Sequence, residues 1–261
     1  MNNVARKRLI REYYSRRAKD YDRQKSRTWN NSQGFAAEIT NELTSALAEF
    51  KDQLVLEVGV GSGRNALPLT VKIEPQFVGL DLSREMLQQT KTKTKLVKKN
   101  LALVQADAEH LPFKRNIFGA IVCMSTLHYF SSPEKVLHTF GATMQSNGLI
   151  VYGDLTLHEL DHRGFLEKLE KTVSKTHSRY FKPSEIKKLL ETSGFWVARM
   201  KTVAYRKSHR SLMEDKGEYF NVSPEQLTDC LQTADDDAKS QYGLTDTELT
   251  LYYTMIVAAK N

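Results

Sequence analysis

The sequence predicts an α/β protein built on an open, mostly parallel, doubly wound sheet. Three observations carry that expectation. Short β-rich runs (LVLEV, QFVGLDL, LALVQAD, GAIVCMS, GLIVYGD) alternate with helical patterns between Leu54 and Asp154, the rhythm of parallel strands joined by crossover helices. The first and fourth runs are nearly all apolar, as strands covered on both faces must be. The first run ends in an acid, Glu57, and glycines follow at 59, 61 and 63 before a helical pattern resumes. Such a turn brings backbone close to a ligand at a helix N-terminus.

Each element follows from its local pattern. The N-terminal segment reads as one or two helices with Ile10, Tyr13, Tyr14, Arg17 and Tyr21 near one side, and another helix is expected from about Gly34 to Phe50. Helices follow the strands at NALPLTVK, shortened by Pro68, at REMLQQTKTK behind Ser83 as N-cap, and at PEKVLHTFGATMQ behind Ser132 as N-cap. HELDHRGFLEKLEKTVSK and KPSEIKKLLETSGF read as amphipathic helices, and FWVARMKTVAYR and TLYYTMIVAAK alternate as two further strands. Between those strands, Lys207 to Leu244 forms an insertion with a helix start at Ser223. It exceeds ordinary connections and is a candidate lid or binding element. One domain is expected, with a helical cap over 1–50, a ligand-binding core over 51–155 and a substrate-side half over 156–261.

Composition narrows the function classes. Lys and Arg outnumber Asp and Glu by 38 to 31, a formal charge of +7, which raises the question of nucleic acid. The lysines from Lys91 to Lys99 have no interleaved aromatics to stack bases, so a solvated helix face and loop is the simpler reading and nucleic acid is not the expected partner. No apolar run approaches the roughly 20 residues of a membrane helix. The cationic start lacks the apolar stretch of a secretory signal. Cys123 sits inside a strand pattern and Cys230 is the sole other cysteine, which speaks against a disulfide framework or thiolate metal site. His158 and His162 lie a helical turn apart, but HELDH lacks the H-E-x-x-H order of a zinc site. A cytoplasmic protein without a metal, as monomer or homodimer, is the expectation.

The glycine turn constrains the ligand. A dinucleotide fingerprint, G-x-G-x-x-G, needs its third glycine where Arg64 stands. The pattern here is E-x-G-x-G-x-G. A carboxylate at Glu57 repels pyrophosphate and attracts an ammonium and sulfonium, a preference worth about a few kcal/mol in a partly dry site. Asp81, at the end of the second strand, is placed to accept from a ribose diol. Just past the third strand, the Asp107 carboxylate can accept from an adenine amino group while the Ala108 backbone N–H donates to the ring. Leu82 and Met86 can wall it.

These residues carry a resemblance. LEVGVGSGRN, VGLDLSREML, QADAEHLPF and FGAIVCMSTLHYFSSPEKVLHTF resemble consecutive motifs of class I S-adenosylmethionine-dependent methyltransferases. Within them the chain is similar to the small-molecule enzymes of ubiquinone, menaquinone and biotin-precursor biosynthesis. YYSRRAKDYD is similar to that group's N-terminal Y-x-x-x-A-x-x-Y-D helix at Tyr14, Ala18, Tyr21 and Asp22. The resemblance covers Leu54 to Asp154 and is weak beyond it. It implies a Rossmann-like seven-stranded sheet whose last strand is antiparallel, with S-adenosylmethionine as cofactor and S-adenosylhomocysteine as product. It further implies that Glu57, Gly59, Gly61 and Gly63 line the methionine tail and ribose, that Asp81 holds the ribose hydroxyls, and that Leu82 lies on the adenine. Asp107 and Ala108 would read the adenine edge, and Ser125 would lie near the cofactor. Tyr14, Arg17 and Tyr21 sit on the helix that closes over the cofactor in related enzymes, and are candidates to cover it or anchor its carboxylate.

For the chemistry, His128 follows the fourth strand at the edge where ligands bind in this architecture. It is the candidate base or acceptor ligand; the alternative is that it packs the loop. Tyr129 is a candidate wall, and His110 a surface residue near the adenine site. MSTLHYF lacks the N/D-P-P-Y/F pattern of exocyclic-amine methylation, and two cysteines are too few for arsenic methylation. A small-molecule acceptor is expected, at oxygen or carbon ahead of nitrogen. Tyr205, Met213, Tyr219 and Phe220 are candidates to line its pocket. The alternatives are an RNA or protein methyltransferase, favoured by the basic charge, and a non-catalytic S-adenosylmethionine-binding module. An NAD-dependent oxidoreductase is disfavoured by the missing third glycine.

Overall fold

A computed structural model describes residues 2–23, 35–73, 75–97, 101–214 and 219–261. Strands β1 (Leu54–Val58), β2 (Gln76–Asp81), β3 (Leu101–Gln105), β4 (Phe118–Met124), β5 (Met144–Thr156), β6 (Phe195–Ser208) and β7 (Glu248–Lys260) form one sheet in the order β3-β2-β1-β4-β5-β7-β6. The first five pair in parallel, and β7 runs antiparallel to both β5 and β6. After β3 the chain crosses from one side of β1 to the other, so β1 and β4 bound a crevice at their C-terminal ends, where ligands bind in this architecture.

Helices α1 (Asn3–Arg17), α2 (Phe35–Leu47), α3 (Ala66–Lys72), α4 (Arg84–Val97), α5 (Pro133–Thr143), α6 (Phe165–Val173), α7 (Pro183–Thr192), α8 (His209–Leu212), α9 (Pro224–Gln232) and α10 (Asp236–Gln241) surround the sheet. Successive strand residues point to opposite faces. Leu56 accordingly joins a cluster with Phe140 of α5 and Ile186 and Leu190 of α7, while neighbouring Val55 joins another with Leu43 and Leu47 of α2 and Leu69 of α3. A third cluster, over the C-terminal end of the sheet, joins Leu166 and Leu169 of α6 to Leu227 of α9 and to Leu249 and Leu251 of β7. At the far edge, β6 carries a register shift between Val197 and Arg199. Its Arg199 and Lys201 pair with Glu42 and Glu38 of α2 at 3.1 and 2.5 Å.

Several local expectations are corrected. Ser83 caps α4, its hydroxyl accepting from the Met86 N–H at 3.2 Å. Ser132 makes no capping bond, and Pro133 in the first turn, with φ already set for a helix, provides the start of α5 instead. The helix anticipated from His158 begins only at Phe165. Asp161 folds back to accept from the Phe165 and Leu166 N–H groups at 3.0 and 3.3 Å, and Gly164 at φ +67° turns the chain into the helix. His158 and His162 therefore share no helical face. β6 continues to Ser208, so the insertion begins at His209. Gly34, Lys98 and Lys99 lie outside the described residues. Lys93 is not merely solvated: it donates to the Ser62 carbonyl at 2.7 Å and pairs with Asp22. Among the described residues, no helix is long and apolar enough to cross a membrane.

Docking of α2 is testable. Leu47 is fully buried, so Leu47→Ala is expected to cost about 2–5 kcal/mol in urea unfolding; an unchanged midpoint would refute this packing.

Candidate active site

A cavity of about 230 Å³ opens at the C-terminal edge of the sheet and runs from the turn after β1 to the underside of α6. Its first half is built by βα turns. Gly59 and Gly61 line it, and the three glycines do different work. A Cβ at Gly59 would strike the Thr126 side chain, and one at Gly63 would crowd Leu67 and Thr90. At Gly61, φ +54°, a Cβ would meet only the Gly59 carbonyl at 3.9 Å and otherwise occupy open cavity. Gly63 thus packs the turn against α4 and does not reach the cavity.

Two carboxylates sit under this turn. Asp81 lines the cavity and accepts from the Gly61 and Ser83 N–H groups, both at 2.8 Å. Burial pushes it up to about 6, against the pull of those backbone donors. Glu57 lies just behind the wall, fully buried. One oxygen accepts from the Asn65 amide at 3.1 Å, and the other, Oε2, has no partner. Burial raises Glu57 to about 8, with the Asn65 and Ala66 donors opposing and the nearby Asp81 charge reinforcing. Leu82, Met86, Asp107 and Ala108 continue the wall, as does Ser125 at φ +50°, whose hydroxyl meets that of Tyr253 at 3.1 Å.

Helix α1 covers the opening. Tyr14 and Tyr21 line the cavity, and the Tyr14 hydroxyl meets that of Tyr129, another lining residue, at 2.6 Å. Lys7 bridges Asp107 and Glu109, both at 2.5 Å. Burial alone would raise Glu109, but the Lys7 and Asn3 donors outweigh it and hold the carboxyl at about 2. At the other end, Arg6 donates to the Ser178 hydroxyl at 2.9 Å. Past the helix, Asp22 accepts from the Ser62 hydroxyl at 2.5 Å. Arg17 does not reach the cavity. Its guanidinium lies over the ring of Tyr13, one turn back on the same helix, at 4.8 Å, and contacts that hydroxyl. It is buried there and belongs to the packing of α1, not to a ligand's carboxylate.

The second half is assembled from distant segments. His128 is buried, and its Nδ1 lies 2.8 Å from both oxygens of Asp154. A carboxylate partner places the proton on Nδ1 and leaves Nε2 as a lone-pair acceptor. That Nε2 is buried with no partner. Tyr180, 1% exposed, also lines this half, and its hydroxyl too lacks a partner. Leu166, Leu169, Val173, Leu212 and Leu251 form an apolar wall, with Glu170, Tyr205 and Lys207 beside them.

Of Tyr205, Met213, Tyr219 and Phe220, anticipated to line the acceptor pocket, only Tyr205 lines the cavity. Tyr219 and Phe220 pack on Tyr13, ring centroids 4.7 and 5.3 Å away, and Met213 packs against the third apolar cluster. His110 is exposed, 3.5 Å from Asp107. Sequence reasoning missed Asp154, Tyr180 and Lys7. Asp154 had a signal, an acid late in an apolar strand, the same feature that singled out Glu57 and Asp81. Tyr180 and Lys7 had none.

The chain is similar to known proteins. Residues 56–152 match the family model described as a methyltransferase domain. The malonyl-[acyl-carrier protein] O-methyltransferase of Geobacter sulfurreducens is 27% identical over 147 residues, 54% of this chain and 55% of that protein. The ubiquinone/menaquinone biosynthesis C-methyltransferase of Wigglesworthia glossinidia brevipalpis is 28% identical over 104 residues, 38% of this chain and 42% of that protein. The crystal structure of the YcgJ protein of Bacillus subtilis overlays with a TM-score of 0.76 at 20% identity, covering 86% of this chain and 99% of that one. The chain spans about half the length of the curated relatives it matches. Residues 56–152 thus match a methyltransferase domain, and over that core the chain is similar to these O- and C-methyltransferases.

The buried Glu57 makes stability depend on pH. Its folded value near 8 stands above the ordinary 4.5, so its contribution is intact below 4.5 and is lost as pH rises toward 8. Glu57→Gln removes that slope. Thermal unfolding of the ligand-free protein should show the variant gaining on wild type as pH climbs through this window, and parallel curves would refute the assignment.

Proposed function

We propose that the protein transfers the methyl group of S-adenosylmethionine to a small-molecule acceptor, at an oxygen or carbon from which His128 removes a proton. One observation carries this reading: a single cavity joins the glycine turn and Asp81 to the buried His128–Asp154 pair. The first half suits the cofactor. Gly61 leaves open space where a side chain would stand, and Glu57, just behind the wall, keeps Oε2 without a donor and favours a positive charge nearby. Asp81 offers a carboxylate to a ribose diol, Leu82 and Met86 offer apolar walls, and Asp107 and Ala108 a polar edge for the adenine. Ser125 lies between the halves, and Tyr14 and Tyr21 cover the opening. A diphosphate would face the Asp81 carboxylate that lines the cavity, which disfavours a nicotinamide dinucleotide.

When bound, the sulfonium supplies an activated methyl group, so that an acceptor's electron pair takes the methyl carbon as the carbon–sulfur bond breaks to leave S-adenosylhomocysteine. The protein's own part is alignment and proton transfer. His128 Nε2 receives the acceptor's proton. Asp154 holds the ring in the tautomer that exposes Nε2 and stabilises the imidazolium that results.

Calorimetry tests the cofactor half. S-adenosylhomocysteine should bind and NAD should not, with Asp81→Ala weakening the former about 10-fold or more; the reverse preference would reject the reading. Affinity should also tighten as pH rises toward 8, because a cationic ligand favours ionised Glu57. For the chemistry, incubation with S-adenosylmethionine and panels of phenols, enols and carbon acids is followed by S-adenosylhomocysteine release. His128→Ala should lower transfer by about 10²–10⁴-fold with cofactor affinity unchanged, and full activity in that variant would remove His128 as the base.

A further inference from the structure

We propose that His128 and Tyr180 form a two-point clamp for one weakly acidic hydroxyl, so that the acceptor is a phenol or enol on a neutral, largely apolar skeleton. The proposal rests on the reading of this cavity as a methyl-transfer site and specifies what its second half accepts.

Two buried polar atoms there lack partners, His128 Nε2 and the Tyr180 hydroxyl. The residues are 6% and 1% exposed, and their ring centroids lie 5.3 Å apart. They have complementary needs. With Asp154 on Nδ1, Nε2 wants a donor. Burial, reinforced by Glu170 and Asp154, pushes the Tyr180 hydroxyl well above its ordinary value, so it stays protonated and can donate. Leaving such buried groups unpaired is costly. One hydroxyl satisfies both, donating to Nε2 and accepting from Tyr180. The main chain at Tyr180 is tied to Glu167 through its N–H at 3.0 Å, and its ring packs beside that of His177, centroids 4.3 Å apart.

The same geometry discriminates among oxygen acceptors. A carboxylate brings no donor for Nε2, and it would face the carboxylates of Asp154 and Glu170 that line the cavity. An alkyl alcohol brings the donor but holds its proton nearly as tightly as water, far above the range of imidazole. A phenol, at about 10, is far closer to imidazole at about 6.5. In the proton transfer the O–H bond breaks, its electron pair stays on oxygen, and the proton passes to Nε2. The imidazolium then faces Asp154, and the Tyr180 O–H bonds the phenolate. Leucines 166, 169, 212 and 251 suit an apolar skeleton.

Naphthol, its methyl ether and naphthoate, titrated calorimetrically with and without S-adenosylhomocysteine, test the clamp. Naphthol is expected to bind about 10-fold or more tightly than either analogue. Tyr180→Phe, which keeps the ring, should erase most of that preference while leaving the ether's affinity unchanged. Equal or tighter binding of naphthoate, a preference that survives in Tyr180→Phe, or no binding by any of the three would overturn the proposal, and the wild-type series decides the ligand class even if the variant does not fold. Failure of S-adenosylhomocysteine to bind would reject the cofactor reading alone, because the naphthol series is also read without it.

Discussion

Three carboxylates at one edge of a sheet, two of them buried and Asp81 half-buried against the cavity, govern the arrangement of this molecule. Glu57 and Asp81 close β1 and β2, and Asp154 stands near the end of β5. A buried carboxylate must be given donors or be neutralised. Asp81 is supplied by backbone, through the Gly61 and Ser83 N–H groups. Asp154 is supplied by an imidazole. Glu57 receives the Asn65 amide and the Ala66 N–H and still keeps Oε2 without a partner. The degree to which each acid is satisfied separates structural anchoring, orientation of a neighbour and an unfilled demand for positive charge.

The sheet makes this juxtaposition possible. Because the strand order reverses at β1, the turns after β1 and β4 diverge and leave a crevice between them. Helix α1 closes that crevice from above. Its Lys7 grips Asp107 and Glu109 on one side, and its Arg6 reaches Ser178 on the other. The helix touches both halves of the cavity, so the turn beyond β3 and the loop before Tyr180 are held in relation to each other by a segment distant from both in sequence.

What was legible in the sequence follows from how local each feature is. Residues placed directly after a parallel strand arrive at the sheet edge whatever the rest of the chain does, so Gly59, Gly61, Asp81, Leu82, Ala108 and His128 were readable from pattern alone. Arg17 was not. Helical spacing put it near Tyr14 and Tyr21, but a helix side is wide, and the ring of Tyr13 one turn back captured it. The helix read from His158 failed for a similar reason: apolar periodicity is blind to Asp161 satisfying the first N–H groups of α6. Tyr180 arrives from the loop between α6 and α7, fixed by Glu167 and by pairing of neighbouring Phe181 with Thr156. Only tertiary contact places it beside His128, and no local signal encodes that.

The two edges of the sheet are finished differently. β3 has only five residues, whereas β6 runs for fourteen and ends the strand order of the described residues. A long bare edge invites a strand from another molecule to add to it. Here the bulge near Val197 interrupts the ladder, and the cations of Arg199 and Lys201 are tied down to α2 alongside it. An incoming strand would meet an irregular hydrogen-bonding rim flanked by anchored charge, so the fold carries its own guard against edge-to-edge self-association.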